Sequence, residues 1–244
     1  MGATFRSFLE PTTDGQPDAS APRHPFRSAL VITVIGYAVL TAVMIGIGLL
    51  LTHAFAGSVG DWDRHVSNHL ARHRTSTWND VTKVATSAVN TLPVIVGAAI
   101  VDAFLALFRR WREAAFLAIA LVLEITVFLS VNYVVDRPRP HVPRLNSTPS
   151  TSSFPSGHTA AAVVLFVGTA LIVTCCTRNN LARVLSVVIA SAVAVTVAFA
   201  RVYRGLHYPT DVFAGALYGL LCLTIAALAV RAASRRVGAV RKTA

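Results

Sequence analysis

Residues 28–52 read SALVITVIGYAVLTAVMIGIGLLLT, a run of twenty-five positions without a charged side chain. A helix of about twenty apolar residues spans the roughly 30 Å hydrocarbon core of a bilayer, so this stretch is long enough to cross one. Five further runs of the same character follow, over about 90–108, 114–135, 158–177, 183–200 and 211–231. With 54% apolar residues in a chain of 244, the composition is too greasy for an ordinary soluble domain, and the chain is too short for a large transporter. In lipid every backbone polar group must be satisfied inside its own segment, which leaves helices for runs of this length. The reading is an all-α polytopic membrane bundle of about six transmembrane helices.

The segments between these runs add detail. Residues 1–27 are polar and Pro-rich, with no evident cleavable signal, and read as a disordered cytoplasmic tail ahead of a retained first helix. Residues 28–231 form the six-helix domain, and 232–244 a basic cytoplasmic tail. From Asp61 to Asn90, the apolar residues Trp62, Val66, Leu70, Trp78, Val81 and Val84 recur at three- and four-residue steps, which predicts a helix lying in the interface. The net charge is +11, carried almost wholly by arginine because only Lys83 and Lys242 are lysines. That bias, with the abundant Ala and Val, points to a GC-rich bacterial genome. The basic residues cluster at the ends of apolar runs and form no stripe interleaved with aromatics, which argues for headgroups and an anionic substrate and against nucleic acid. Placing both termini in the cytoplasm puts thirteen basic residues inside against nine outside, the sense the positive-inside rule prefers.

Two loops then fall on the same outer face. One reads Asp136-Arg137-Pro138-Arg139-Pro140 and ends, after a polar stretch, in Pro155-Ser156-Gly157-His158. The other runs from Arg201 through Arg204 and His207 to Asp211. Arginine forks match phosphate oxygens and stay charged at any workable pH, so Arg139 and Arg201 suit a phosphate clamp. Ser156, Gly157 and His158 open a helix, where free N–H groups and the dipole favour an anion. Asp211 lies four residues after His207 and can accept a bond from one ring nitrogen, which leaves the other as a nucleophile. His158 is then available to protonate a leaving oxygen.

These loops resemble the three signature motifs of the type 2 phosphatidic acid phosphatase superfamily: Lys, six residues, Arg-Pro; Pro-Ser-Gly-His; and Ser-Arg, five residues, His, three residues, Asp. The second motif matches in full at Pro155 to His158, the third at Arg201, His207 and Asp211, and the first at Arg139-Pro140. Two positions depart from the pattern: Asn132 stands where the motif has lysine, and Ala200 where it has serine. The resemblance implies that His207 attacks phosphorus, oriented by Asp211, and that His158 serves as general acid and later activates water. It also implies that Arg139, Arg201, Ser156 and the Gly157 backbone hold the phosphoryl oxygens, with no metal and no cofactor. Asn132 brings a hydrogen-bond donor without charge, and Arg137, Arg144 or Arg204 is a candidate to replace the lysine.

Other features carry plainer readings. Arg64, Arg72 and Arg74 read as headgroup anchors, and Cys175, Cys176 and Cys222 as packing residues. Asp102 and Glu124 fall inside predicted spans, where an ionisable group is costly; the motifs leave both to a structural role. The Ser- and Thr-rich stretch 146–153 suits either a closing segment or a linker. The expected partners are the bilayer and a lipid phosphate. A polyprenyl diphosphate is the first choice, with phosphatidate and phosphatidylglycerophosphate as alternatives. A protein that only binds or moves anionic lipids on the same scaffold is the rival from another class, and the His158, His207 and Asp211 set argues against it.

Overall fold

The structure, a computed structural model, describes residues 25–146 and 151–234. Eight helices follow one another among these residues. They are α1 (Pro25–Leu49, extended by a π turn Leu50–Ala54), α2 (Val59–Arg72), α3 (Ser76–Ser87), α4 (Thr91–Leu107), α5 (Trp111–Val134), α6 (Gly157–Cys176), α7 (Asn180–Tyr203) and α8 (Pro209–Ser234). Five of them are long and apolar enough to cross a membrane, and α3 with α4, which pass the same test together but bend by 52° at their break, form either a broken sixth span or a re-entrant loop. The protein is therefore an all-α, multi-pass membrane bundle. The span boundaries read from sequence agree to within a few residues, although 25–27 open α1 and 232–234 close α8 instead of lying in tails. The remainder of both expected tails and residues 147–150 of the Ser/Thr-rich stretch lie outside the described residues.

The single interfacial helix expected over Asp61–Asn90 is two helices, broken at His73–Thr75. The break has local causes. The Thr75 side chain caps α3 by accepting from the Trp78 N–H at 3.3 Å. Arg74 is meanwhile drawn away to the carbonyls of Tyr203 (3.0 Å) and Pro143 (2.6 Å). Arg74 is thus tied to the protein and is not the headgroup anchor the sequence suggested.

The helices sort by exposure. α1, α4 and α7 turn large apolar side chains outward, among them Leu30, Ile35, Ile95, Phe104, Val188 and Val195. In water such a surface would be a liability; on a multi-pass protein it is the face that meets acyl chains. α6 is the most enclosed span. Around it α1, α5 and α8 bury Met44, Phe116, Leu123, Val127, Val164 and Tyr218.

The contact between α6 and α8 fixes the outer loops. Gly215 and Gly219 stand one turn apart on α8. A Cβ on Gly215 would come within 2.5 Å of the Ser156 carbonyl oxygen, and one on Gly219 within 3.1 Å of that of Ala160. Small residues at this spacing let two helix backbones touch. The Ser156 N–H donates to the Asp211 carbonyl at 3.0 Å, so the openings of the two helices are stitched together. Between α7 and α8 the chain turns at Gly205, whose φ of +72° is left-handed. Pro209 then supplies the first residue of α8, where its fixed φ suits a helix start.

Candidate active site

The turn from Arg201 to Asp211 lies against the segment from Ser152 to Ser156, and between them His207 is 3% exposed. Its Nδ1 lies 2.6 Å from the Ser153 carbonyl oxygen. A carbonyl can only accept, so Nδ1 carries the proton and Nε2 the lone pair. Arg201 Nη2 lies 3.4 Å from that Nε2, and a guanidinium can only donate, which fits the same tautomer. Burial, then the guanidiniums of Arg201 and Arg139, hold the His207 imidazole well below its ordinary value of 6.5. The ring is therefore neutral through the physiological range.

Arg201 donates to Thr86 Oγ1 at 2.9 Å, while its buried Nε has no hydrogen-bond partner among the described residues. Arg139 reaches the same neighbourhood from the loop after α5. It donates to the carbonyls of Leu206 (2.7 Å), Thr151 (3.1 Å) and Ser152 (3.2 Å). Neither arginine forms an ion pair with a carboxylate among the described residues. His158 enters from the first turn of α6, its Nε2 3.2 Å from Asn90 Oδ1. It is near enough to interact electrostatically with His207.

Other sequence candidates are placed differently. Asp211 Oδ2 is 3.9 Å from His207 Nδ1, beyond a hydrogen bond, because the Ser153 carbonyl has taken that nitrogen. The Asp211 carboxylate instead accepts from the Tyr208 N–H at 2.8 Å and from Arg137. Arg137, a candidate to replace the motif lysine, is buried and engaged between two acids, bonding Asp211 through Nη1 and Asp63 through Nη2 at 2.7 Å. Burial alone would lower its pKa; the charges of Asp211 and Asp63 more than reverse that and raise it. Arg204 donates to Asn146, Leu145, Asn79 and Thr82 and is likewise spent on structure. Asn132 donates to the Ser152 carbonyl at 3.1 Å, so it braces the segment that carries Ser153. The Ser156 hydroxyl pairs with Thr159 Oγ1 at 2.9 Å, fully buried beneath the loops. Gly157 packs on the Phe128 ring, which a Cβ there would meet at 3.0 Å.

Sequence reasoning did not single out Asp63, Thr86, Asn90 or Ser153. Three of them lie in the stretch 61–90, where the periodicity announced a helix face and nothing more. Ser153 contributes through its backbone carbonyl, which no side-chain pattern can reveal.

The PAP2 superfamily model matches residues 112–235, which include every candidate residue named from the sequence. An undecaprenyl-diphosphatase of Sulfolobus acidocaldarius is 33% identical over 125 residues, covering 49% of this chain and 56% of that protein. The chain thus matches little more than half the length of this relative. Among solved structures, a PAP2-type phosphatidylglycerolphosphate phosphatase from Bacillus subtilis has a TM-score of 0.67 at 23% identity, over 76% of this chain and 93% of that one. Aquifex aeolicus LpxE has a TM-score of 0.52 at 25% identity, over 68% and 92% respectively.

Proposed function

The chain belongs to the PAP2 superfamily, and from that premise we propose that it is a lipid phosphatase that cleaves a polyprenyl diphosphate through a phosphohistidine on His207. The observation that carries the proposal is the state of that ring: buried, neutral, Nδ1 tied to the Ser153 carbonyl and Nε2 turned to Arg201. In the reaction the Nε2 lone pair attacks phosphorus, and the bond from phosphorus to the bridging or ester oxygen breaks. His158 gives its proton to the departing oxygen. Water then attacks phosphorus, losing a proton to His158, the phosphorus–nitrogen bond breaks to free His207, and inorganic phosphate leaves. The imidazole becomes positive as it attacks, and the Asp211 carboxylate, 3.9 Å from Nδ1, offsets that charge. Arg201 and the N–H that Arg139 has left over hold the phosphoryl oxygens, and α6 opens beside them with Gly157. The lysine charge lost at Asn132 is not replaced by Arg137 or Arg204, so two arginines carry the clamp.

The diphosphate preference rests on the similarity to the Sulfolobus acidocaldarius protein. Purified protein should release phosphate from polyprenyl diphosphate faster than from phosphatidate or phosphatidylglycerophosphate, and should do so in excess chelator. Release only from one of the other two lipids would reassign the substrate; no release from any would leave lipid binding without hydrolysis. We also assign the centre to the extracytoplasmic face and both termini to the cytoplasm. A reporter active only outside the cytoplasm should then be silent at either terminus and active when inserted at Ser150. Activity at the C-terminus would invert the topology.

A further inference from the structure

Asp63 lies on α2, outside the residues that the family model matches. Its side chain is fully buried. One oxygen accepts from the Thr210 N–H at 3.1 Å, and the other from the Thr210 hydroxyl at 2.5 Å and from Arg137 Nη2 at 2.7 Å. The opposite nitrogen of the same guanidinium bonds Asp211. The Tyr208 ring covers the guanidinium, its centroid 4.8 Å from the Arg137 Cζ. One cation is thus shared between two carboxylates, and with both of these ionised the three groups together carry a net charge of −1. A guanidinium held by Asp211 alone would cancel that carboxylate's charge.

We infer that Asp63 is a positioning residue for the reaction centre: by holding one side of Arg137, it leaves Asp211 negative enough to support the charge that His207 acquires during attack. This rests on the phosphohistidine reading. The alternative is that Asp63 is only a brace between α2 and the start of α8. The two differ in what they predict for kinetics. Neutralising Asp63 makes the centre more positive by one unit. That disfavours a developing imidazolium already beside Arg201 and Arg139, but it does not weaken binding of an anionic substrate.

The test is steady-state kinetics and rapid-quench phosphoenzyme formation by purified full-length protein with a polyprenyl diphosphate, rates being expressed per folded molecule. Asp63→Asn should lower kcat and the rate of phosphoenzyme formation by roughly 10–100-fold, the range typical of groups that support a functional side chain from behind. KM should be unchanged or lower, a split that identifies a transition-state effect. Asp63→Glu should recover most of the rate, because charge and acceptors are kept. The double variant Asp63→Asn with Arg137→Gln returns the group to a net charge of −1 and should be faster than Asp63→Asn alone. Thr210→Val, which removes a hydroxyl from the same network without changing its charge, should stay near wild type. If Asp63→Asn does not fold, the double variant measured against Arg137→Gln carries the test: with the guanidinium gone Asp63 has nothing to hold, so the two should differ by far less than the loss expected in the presence of Arg137, and a gap of roughly 10–100-fold between them would overturn the inference. An unchanged kcat in Asp63→Asn, a rise in KM that accounts for its loss, or losses that simply add in the double variant would each overturn the inference. A wild-type protein that releases no phosphate would overturn the reading beneath it.

Discussion

Two halves of one loop cluster stand back to back and follow opposite charge logic. On one side Arg137 is enclosed by Asp63 and Asp211, with Thr210 bonded into the same network. On the other, Arg201 and Arg139 converge on a neutral His207 without an acid of their own among the described residues. Buried ions are costly unless compensated, so the half in which the cation is paired with acids is what a scaffold requires. A half left with excess positive charge is stable only at some cost, and its chemistry favours an anionic group. The difference separates an arginine paired with acids from the two arginines assigned above to the phosphate clamp, which residue type alone could not do.

The comparison is broken most sharply at His207. His207→Ala should abolish turnover and leave no acid-labile phosphoenzyme, because the attacking nitrogen is gone. His158→Ala removes proton transfers worth roughly 10²–10⁴-fold each. It should nearly stop hydrolysis of ordinary lipid phosphates, yet let phosphohistidine accumulate when the leaving group is good. Rapid quench with labelled substrate and peptide mapping decides between them; label on His158 would reverse the two roles.

Next in size is the clamp. Arg201→Gln should reduce kcat by roughly 10²–10³-fold, as loss of one preorganised donor to developing charge typically does. The folded protein should suffer little, because the residue carries an uncompensated charge and an unpartnered Nε. A variant that unfolds while the remaining folded fraction turns over normally would place Arg201 with the scaffold.

This division was only partly legible in the sequence. The six apolar runs gave the class and the spans because lipid permits so few backbone solutions at that length. The motifs named His158, His207, Asp211, Arg139 and Arg201 because their chemistry resides in side chains at fixed spacing. Arg137 and Arg139, two residues apart in one Arg-Pro-Arg-Pro run, look alike on paper. They separate only in three dimensions, where Asp63 arrives from a segment seventy-four positions away from Arg137. The partner of His207 Nδ1 is hidden in the sequence for a similar reason: Asp211 has the expected spacing, but a backbone carbonyl from the neighbouring loop reaches Nδ1 first.

A smaller effect concerns pH. Because burial, Arg201 and Arg139 hold His207 well below 6.5, the acid limb of kcat/KM assigned to His207 should lie well below that pH. In Arg201→Gln one depressing cation is gone, so the limb should move up towards 6.5. The same shift has a consequence for stability. Above 6.5 the ring is neutral folded and unfolded and contributes nothing. As the pH falls below 6.5 the unfolded chain takes up a proton that the folded chain refuses, and stability declines. Thermal unfolding in detergent between pH 7 and 5 should show that decline in wild type and a weaker one in His207→Gln. An acid limb at or above 6.5 in wild type would mean that neither burial nor the two arginines depress His207.

The smallest effect is expected from the other buried acid, Glu124, and it tests whether the contrast is about chemistry or merely about burial. Glu124 sits in the middle of α5, 7% exposed, and accepts from the Tyr218 hydroxyl of α8 at 2.9 Å. It forms no ion pair with a cation among the described residues, and it lies in the apolar core with Cys222 and Leu123 instead of beside His207. If its task is to satisfy a buried tyrosine, then Glu124→Gln should be nearly silent, because an amide oxygen accepts the same bond. The expected change is below about 1 kcal/mol, with kcat unaltered. Glu124→Leu would leave the Tyr218 hydroxyl without that acceptor, at a cost of about 1–3 kcal/mol. Its kcat per folded molecule should still match wild type. Thermal unfolding and lipid turnover on the same preparations separate the two quantities. A Gln variant that folds normally but loses turnover would show that Glu124 takes part in the reaction, and that burial without a cation does not mark a structural acid in this bundle.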